Sequence, residues 1–363
     1  MAPTVPGSQP GGEPGREPGG APCLQGLPRL ASRPQLATEG TVLGIDVGGT
    51  NQTVALARLD GEVVASHRRR LAAGGKAEDV VANILEMIEA AISEVERTSE
   101  RRGAEKVRRV GVGFGGLIDA KRGVVLRSHH VSGWDNYPLR ELLEQRLNAS
   151  AVIENDANAA ALGEARFGAG RGHRNILYVN VGTGIGAGVI LDGALYHGQH
   201  GTAGEVGHVT VVPEGPECAC GKRGCLEALA SGPSLARRAQ EAARAQPGEA
   251  APLLQLAEGD VSRISGPHVF AAAGNGDALA GRLVEETAAY LGLALGNAAN
   301  VLDPSIIVVG GGMGESGEIL FAPLRTAVRR HLLPSTPAPE VVPAALGYDA
   351  GIAGALALAL EGL

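Results

Sequence analysis

The sequence predicts an α/β protein of two lobes, each a ribonuclease-H-like unit, with a central cleft between them. In the first half, three strand patterns precede a long helical pattern and a further strand, and a similar order returns in the second half. In both halves the opening strand ends in a turn that contains Gly and Thr. Antiparallel hairpins followed by a crossover helix form such a unit, so two of them predict a duplicated fold.

The first unit begins near Thr41, where apolar residues predict a buried strand that ends in glycines. Two further strands follow as a hairpin, and apolar residues then recur with the spacing of an amphipathic helix. The predicted elements are strands at 41–47, 52–58 and 63–69, a helix at 76–101, strands at 107–114 and 151–153, and a helix at 157–164.

The second unit repeats this order and ends in an Ala- and Leu-rich stretch that predicts a packing helix at 349–360. Its other predicted elements are strands at 175–181, 185–192 and 195–197, a helix at 277–302 and a strand at 306–309. We therefore predict a disordered Pro- and Gly-rich tail at 1–39, an N-terminal lobe at 40–154 completed by 349–363, and a C-terminal lobe at 155–348.

Charge and composition argue against several classes of function. The 363-residue chain has a formal net charge of −7, whereas non-specific nucleic-acid binding needs a basic surface. Its apolar runs are too short to span a membrane. No charged and apolar secretory signal begins the sequence, and three cysteines cluster between Cys218 and Cys225. We therefore expect a cytoplasmic protein with no nucleic-acid or membrane partner.

The first glycine turn is a candidate phosphate site. Asp46 lies at the end of a predicted strand and precedes Gly48, Gly49 and Thr50. Bare glycine amides can approach a phosphate closely, the Thr50 hydroxyl can add a hydrogen bond, and an aspartate can hold Mg²⁺ directly or through water. The alternative is a hairpin turn that needs glycine for its own geometry.

The second half supplies two further glycine loops. Gly182, Thr183 and Gly184 repeat the strand-to-turn pattern, and two such loops facing each other can clamp a polyphosphate. Gly311 and Gly312 lie in a third loop, which suits a flat adenosine, although a tight strand-to-helix turn explains it nearly as well. The sequence lacks the Gly-x-x-x-x-Gly-Lys-Ser/Thr pattern of P-loop enzymes.

Polar residues follow the strand at 151–153, where ligand clefts of α/β proteins form. Transfer of a phosphoryl group to an alcohol needs a carboxylate that accepts the hydroxyl proton, and Asp156 is the candidate base. Asn155 can hold a neighbouring hydroxyl. The alternative is that Asp156 is only the N-cap of the helix that follows.

A Cys and His cluster is the strongest local signal. His208, Cys218, Cys220 and Cys225 offer three thiolates and one imidazole, which form a closed tetrahedral Zn²⁺ site. Such a site is structural, and it would fix a loop that presents Glu205 and Glu227 to sugar hydroxyls. One ring nitrogen of His208 can bind zinc while the other faces substrate or a supporting group. The alternative is a group of buried thiols without metal.

Taken together, these motifs resemble the ROK family of sugar kinases and repressors, over about residues 41 to 362. The residues that carry the resemblance are the run from Gly44 to Thr50, Gly133-Trp134 before Pro138-Leu139, the run from Glu154 to Asn158, the run from Gly182 to Gly186, Glu205-x-Gly-His208, and Cys-x-Cys-Gly-x-x-Gly-Cys-x-Glu.

The resemblance implies an actin-like ATPase fold, ATP-dependent phosphorylation of a hexose or N-acetylhexosamine, and a homodimer or homotetramer. It implies that Asp156 is the base and that the four zinc ligands are those named above. The residues implied to hold the sugar are Asn155, Glu205, His208 and Glu227, with Gly116 close by. Two positions differ from the family pattern: His130 replaces a sugar-contacting Asn, and Asn51, next to the phosphate loop, replaces a basic residue.

These observations predict a glucokinase-like enzyme that uses ATP, Mg²⁺ and Zn²⁺ to convert glucose to glucose 6-phosphate. The closest alternative is the same chemistry on N-acetylglucosamine or N-acetylmannosamine. Alternatives of other classes are a non-catalytic sugar sensor of the same family and a zinc-organised interaction module without nucleotide. The family's repressors carry a winged helix-turn-helix before the kinase fold, and the Pro- and Gly-rich tail is not expected to form one.

Overall fold

The computed structural model describes residues 40–71, 75–98, 106–128, 131–361 and 363. The predicted tail at 1–39 and the sugar-contact position His130 lie outside these described residues. The strands and helices predicted above are all present, and their ends lie within three residues of the predicted ones. The strand predicted at 195–197 ends at Leu195 in the structure, so His197 lies in the loop that follows this strand.

The first sheet has five strands. They are β1 (Thr41–Val47), β2 (Asn51–Arg58), β3 (Val63–Arg70), β4 (Val107–Phe114) and β7 (Ser150–Asn155). Their spatial order is β3-β2-β1-β4-β7, with antiparallel pairing among the first three strands and parallel pairing from β1 onwards. The hairpin of β5 (Leu117–Asp119) and β6 (Val124–Arg127) follows β4, while α1 (Ala77–Thr98) and α2 (Leu139–Leu147) complete this region.

The second sheet repeats this topology. Its strands are β8 (Ile176–Val181), β9 (Ile185–Leu191), β10 (Ala194–Leu195), β11 (Ile306–Gly310) and β12 (Glu340–Pro343). Their order is β10-β9-β8-β11-β12, with antiparallel pairing among the hairpin strands and parallel pairing of β8, β11 and β12. The identical order and direction of the strands confirm the predicted duplication.

Six helices accompany the second sheet in the described part of the chain. They are α4 (Leu226–Ala230), α5 (Gly232–Ala245), α6 (Ala251–Leu256), α7 (Gly266–Gly274), α8 (Ala278–Leu302) and α9 (Glu318–His331). Their apolar faces form one aliphatic core with strands β8, β9 and β11. Among the described helices, none is both long enough and apolar enough to span a bilayer.

Two helices connect the sheets. Helix α3 (Asp156–Phe167) follows the last strand of the first sheet but packs on β8 and β9 of the second. Helix α10 (Ala350–Glu361) follows the last strand of the second sheet but packs on β1 and β4 of the first. The two helices also pack on each other, so closely that a methyl group on Gly354 would overlap the carbonyl oxygen of Ala159. Each sheet is therefore covered by a helix that belongs, in sequence, to the other unit.

Hydrogen bonds to Glu164 connect α3 with the segment that leads into α10. It is fully buried on α3, and its carboxylate accepts backbone N–H hydrogen bonds from Ala169 (2.7 Å), Ala345 (3.1 Å) and Leu346 (2.7 Å). The last two donors lie in the connection that leads into α10. A buried carboxylate is tolerated because these charge-assisted hydrogen bonds replace its contacts with water.

We expect Glu164→Gln to lower the free energy of unfolding by about 2–4 kcal/mol, because an amide NH₂ would face backbone N–H donors and the charge would be lost. Urea denaturation measures this change. The matched control is Glu285→Gln on the exposed side of α8, for which we expect a change within about 0.5 kcal/mol. Equal midpoints for the two variants would contradict a stabilising role for Glu164.

Candidate active site

The first glycine turn is a tight hairpin between β1 and β2. The N–H of Gly48 donates to the carbonyl oxygen of Asn51 at 3.0 Å, which closes the turn. Gly49 and Thr50 are exposed at its tip, and the Thr50 hydroxyl accepts a hydrogen bond from the exposed Asn51 amide at 3.2 Å. The turn therefore satisfies the hairpin geometry, and it also leaves polar groups exposed to a ligand.

Asp46 lies beneath this turn and against the first turn of α10. A methyl group on Gly351 would lie 2.8 Å from its Oδ1 atom, and one on Gly113 would lie 3.6 Å from it. Burial, with a further contribution from the neighbouring Asp156 carboxylate, raises the pKa of Asp46 to about 7 against the opposing effect of the Arg68 guanidinium. A cation bound beside Asp46 would stabilise its ionised carboxylate, which burial otherwise disfavours.

In the kinase reaction that the sequence predicts, Gly351→Ala should reduce kcat/KM for ATP by about tenfold or more, because the added methyl group displaces the Asp46 carboxylate from its place beside the first glycine turn. Steady-state kinetics with varied ATP·Mg²⁺ measure this effect. Gly281→Ala is the control, since this helical glycine has open space around it and alanine favours helix. Kinetics of Gly351→Ala indistinguishable from those of the control would show that Asp46 does not need this space.

Asn155 and Asp156 lie at the start of α3. Asn155, and not Asp156, is the N-cap: its Oδ1 accepts N–H hydrogen bonds from Ala157 (2.9 Å) and Asn158 (3.4 Å). The alternative that Asp156 is only an N-cap is therefore wrong. Asn155 also donates from Nδ2 to the carbonyl oxygen of Gly116 at 3.3 Å. Asn155 and Gly116, both expected near the sugar, are thus in direct contact.

Asp156 is close to the first glycine turn. A methyl group on Gly115 would lie 3.2 Å from Asp156 Oδ2 and 3.7 Å from the Cα of Gly48. Its Oδ1 accepts the N–H of Ala157 at 2.9 Å, which fixes the carboxylate relative to the helix. Two carboxylates, those of Asp46 and Asp156, therefore lie beside the first glycine turn.

The second and third glycine loops adjoin each other. The N–H of Gly182 donates to the carbonyl oxygen of Gly184 at 2.9 Å, and Thr183 is exposed at the tip. A methyl group on Gly182 would lie 4.0 Å from the backbone nitrogen of Gly312, while Gly311 has a φ of +77° that favours glycine. The loops that follow the parallel strands β8 and β11 therefore form one edge.

Glu227 links the second loop to the Cys and His cluster. Its Oε2 accepts the N–H of Ile185 at 2.8 Å, directly after Gly184. Glu227 lies in the first turn of α4, whose N-cap is Cys225. Glu205, by contrast, is exposed, and its Oε2 lies 4.0 Å from Nε2 of His208.

The Cys and His cluster has the geometry of a tetrahedral metal site. The ligand atoms of His208, Cys218, Cys220 and Cys225 all lie within 4.8 Å of one another. Nδ1 of His208 is 3.7 Å from Sγ of Cys218, and Sγ of Cys220 is 3.6 Å from Sγ of Cys225. A Zn–S bond of about 2.3 Å implies edges of about 3.8 Å, so the four side chains fit zinc. Nε2 of His208 then faces Glu205.

The three thiols of the cluster lie in different environments. Burial and the neighbouring thiols raise the pKa of Cys225 to about 12, and burial also raises the pKa of Cys218. A hydrogen bond from the Lys222 backbone lowers the pKa of Cys220. Without a cation the two buried thiols would stay neutral, so a stable thiolate set here requires a bound metal.

The comparisons with known proteins are consistent with these motifs. A family model described as "ROK family" matches residues 42–362. The chain belongs to the ROK family. Two glucokinases resemble this ROK protein over nearly its whole described length: that of Thermotoga maritima is 37% identical over 88% of the chain and 97% of the relative. That of Streptomyces coelicolor is 36% identical over 89% of the chain and 98% of the relative.

A solved structure resembles the ROK protein in fold as well. The ROK family glucokinase from Streptomyces griseus, in complex with glucose and AMPPNP, is 38% identical. It matches 89% of this chain and all of its own length with a TM-score of 0.75. The predicted fold class, a duplicated actin-like arrangement, is thereby confirmed.

Sequence reasoning missed one feature of the site. His197, which has no role in the prediction, lies 2.6 Å from the buried carboxylate of Glu154. Glu154 belongs to the run from Glu154 to Asn158 that the sequence analysis singled out, but the sequence did not indicate His197 as its partner. His197 and Glu154 are 43 positions apart in the sequence, and no local spacing pattern indicates such a contact.

Proposed function

We propose that this ROK protein is a glucokinase that transfers the γ-phosphoryl group of ATP to the 6-hydroxyl of glucose. The observation that carries the proposal is the position of Asp156, between the first glycine turn and the Asn155–Gly116 contact. A carboxylate there has a phosphate loop on one side and expected sugar ligands on the other. The similarity to glucokinases along almost the full chain supports the same activity.

In the proposed reaction, Asp156 accepts the proton of the 6-hydroxyl as its oxygen forms a bond to the γ-phosphorus. The bond from the γ-phosphorus to the bridging oxygen breaks, and ADP leaves with that oxygen. The hydrogen bond from the Ala157 N–H holds the carboxylate in place during this step. Positioning and charge stabilisation account for most of the catalysis of phosphoryl transfer, because little covalent chemistry is asked of the protein.

The phosphates of ATP are proposed to lie between the two strand-turn loops. Gly48, Gly49 and Thr50 contribute from the first sheet, with Asn51 beside them, and Gly182, Thr183 and Gly184 contribute from the second. Gly311 and Gly312 adjoin Gly182 and are proposed to border the adenosine. Asp46 would hold Mg²⁺, directly or through water, and the cation supplies charge neutralisation for the transferred group.

The sugar is proposed to contact Asn155, Glu205, His208 and Glu227, with Gly116 next to Asn155. Zinc on His208 and the three cysteines would fix the segment that carries Glu205 and the start of α4 that carries Glu227. Because Glu227 also accepts the Ile185 N–H, its position depends on both the metal site and the second phosphate loop. The expected homodimer or homotetramer and the cytoplasmic location remain predictions.

The test is a coupled assay of ADP release with ATP·Mg²⁺ against glucose, mannose, fructose, N-acetylglucosamine and N-acetylmannosamine. We expect the highest kcat/KM with glucose. A preference for an N-acetylhexosamine would favour the closest alternative, and it would point to the segment that contains His130. Binding of sugar without turnover of any of the five would favour the non-catalytic sensor, and the absence of ATP binding by calorimetry would favour a zinc-organised interaction module.

A further inference from the structure

The carboxylate of Glu154 is buried directly before the proposed catalytic residues. Glu154 is 4% exposed at the end of β7, and its Oε1 accepts two hydrogen bonds. One comes from the backbone N–H of Asn155 at 2.9 Å, and the other comes from Nδ2 of Asn158 at 2.9 Å. These donors precede and follow Asp156, so Glu154 holds the chain on both sides of the proposed base.

The other oxygen of Glu154 is paired across the two units. Its Oε2 lies 2.6 Å from Nε2 of His197, which follows β10 of the second sheet. Glu154 contacts this imidazole, and the Lys121 ammonium, between β5 and β6, acts on it electrostatically. The hydrogen bond to Glu154 raises the pKa of His197, while partial burial and Lys121 oppose the rise.

A carboxylate so deeply buried depends on its partners. Removing the His197 imidazole would leave the buried carboxylate without one of its partners, and protonation or movement of the carboxylate would relieve the uncompensated charge. Either response would weaken the hydrogen bonds that Glu154 accepts from Asn155 and Asn158. Asn155 in turn caps α3 and donates a hydrogen bond to Gly116. A displaced Glu154 would therefore also displace the proposed base, Asp156, and the proposed sugar ligand Asn155.

We propose that His197 and Glu154 form a positioning pair that holds Asn155 and Asp156 in the geometry needed for phosphoryl transfer. The proposal rests on the proposed kinase function. His197 acts through Glu154, and Glu154 acts through the start of α3. The pair also joins the hairpin of the second sheet to the last strand of the first, directly before Asp156 at the start of α3.

The test is a double-mutant cycle on kcat with His197→Leu, Glu154→Gln and the double variant. We expect His197→Leu to lower kcat by about 30-fold, within the range that misplacement of a reacting group produces. Because Glu154→Gln removes the unpaired charge, the double variant should be no slower than His197→Leu alone. Losses that multiply would mean that the two residues act independently, and the pair would be rejected.

Two further readouts separate positioning from a general structural role. His197→Gln keeps a neutral N–H donor and should recover kcat to within about fivefold of wild type, whereas KM for ATP should stay near wild type in all variants. His197 is charged below its raised pKa, and above it a neutral imidazole can still donate to Glu154, so wild-type kcat should decline by no more than about fivefold as pH rises through that pKa, and His197→Gln should lack this limb. An unchanged pH profile in His197→Gln would contradict the proposal.

His200→Gln is the matched control, because His200 is exposed in the same loop and should leave kcat and its pH profile unchanged. The wild-type protein distinguishes the two levels of inference. Absence of turnover in wild type would overturn the proposed kinase function and, with it, the positioning role. Turnover in wild type with multiplicative losses in the cycle would overturn only the role of the pair.

Discussion

Asp156→Asn should lower kcat by about 10³-fold while the protein still binds ATP and sugar. The substitution keeps an Oδ1 acceptor for the Ala157 N–H, so the start of α3 should persist, but the amide cannot accept the hydroxyl proton. General bases contribute about 10²–10⁴-fold to rate, which sets this magnitude. KM values close to wild type would show that the lost interaction is made in the transition state.

The matched control for this prediction is Asp192→Asn. Asp192 is exposed in the turn after β9 and has a φ of +52°, a conformation that asparagine also tolerates. We expect its kcat to equal that of wild type. The assay is the coupled release of ADP with glucose, and binding is checked by calorimetry. Full turnover of Asp156→Asn would remove Asp156 from the mechanism.

Cys225→Ser should produce the largest loss of stability among the variants considered. Cys225 is fully buried, is the N-cap of α4, and completes the proposed zinc site. Binding of structural zinc is worth about 10–16 kcal/mol in small zinc domains, so loss of one thiolate should lower the free energy of unfolding by more than about 4 kcal/mol. Zinc content, measured by mass spectrometry, should fall from about one ion per chain to nearly none.

The loss of zinc should also weaken activity toward glucose. Cys225, a proposed zinc ligand, lies two residues before Glu227 at the start of α4. Glu227 contacts the second glycine loop, so kcat/KM for glucose should fall by about 100-fold. Removal of zinc from wild type with a chelator should reproduce this loss, and added zinc should restore activity. Cys23→Ser is the control, because it removes a thiol that is not one of the four residues of the cluster. A zinc-free Cys225→Ser protein that melts like the control would contradict the structural role.

Much of the fold could be predicted because its signals are local. Buried parallel strands appear in the sequence as short apolar runs, and β1 and β4 begin and end at the predicted residues. Glycine turns mark where these strands end. The convergence of His208, Cys218, Cys220 and Cys225 could be predicted for the same reason, since the three cysteines lie within one short loop and their side-chain chemistry is distinctive.

The contacts that could not be predicted join residues that are distant in sequence. The space for Asp46 depends on Gly351, and the charge of Glu154 depends on His197. Both contacts arise from how one unit is placed on the other, which no apolar period encodes. The hairpin of β5 and β6 was also missed, because strands of three and four residues are too short to show an alternating pattern.

The exchange of α3 and α10 between the sheets has a consequence for how the protein unfolds. Cutting the chain between the two units would leave each sheet without the helix that covers its inner face, much as in a domain-swapped dimer whose two partners are joined in one chain. Each half would keep the core on one face of its sheet, but the layer on the other face, which α3 and α10 form together, would be lost. The molecule should therefore unfold as a single cooperative unit, and a lesion in one half should destabilise the other to a similar degree.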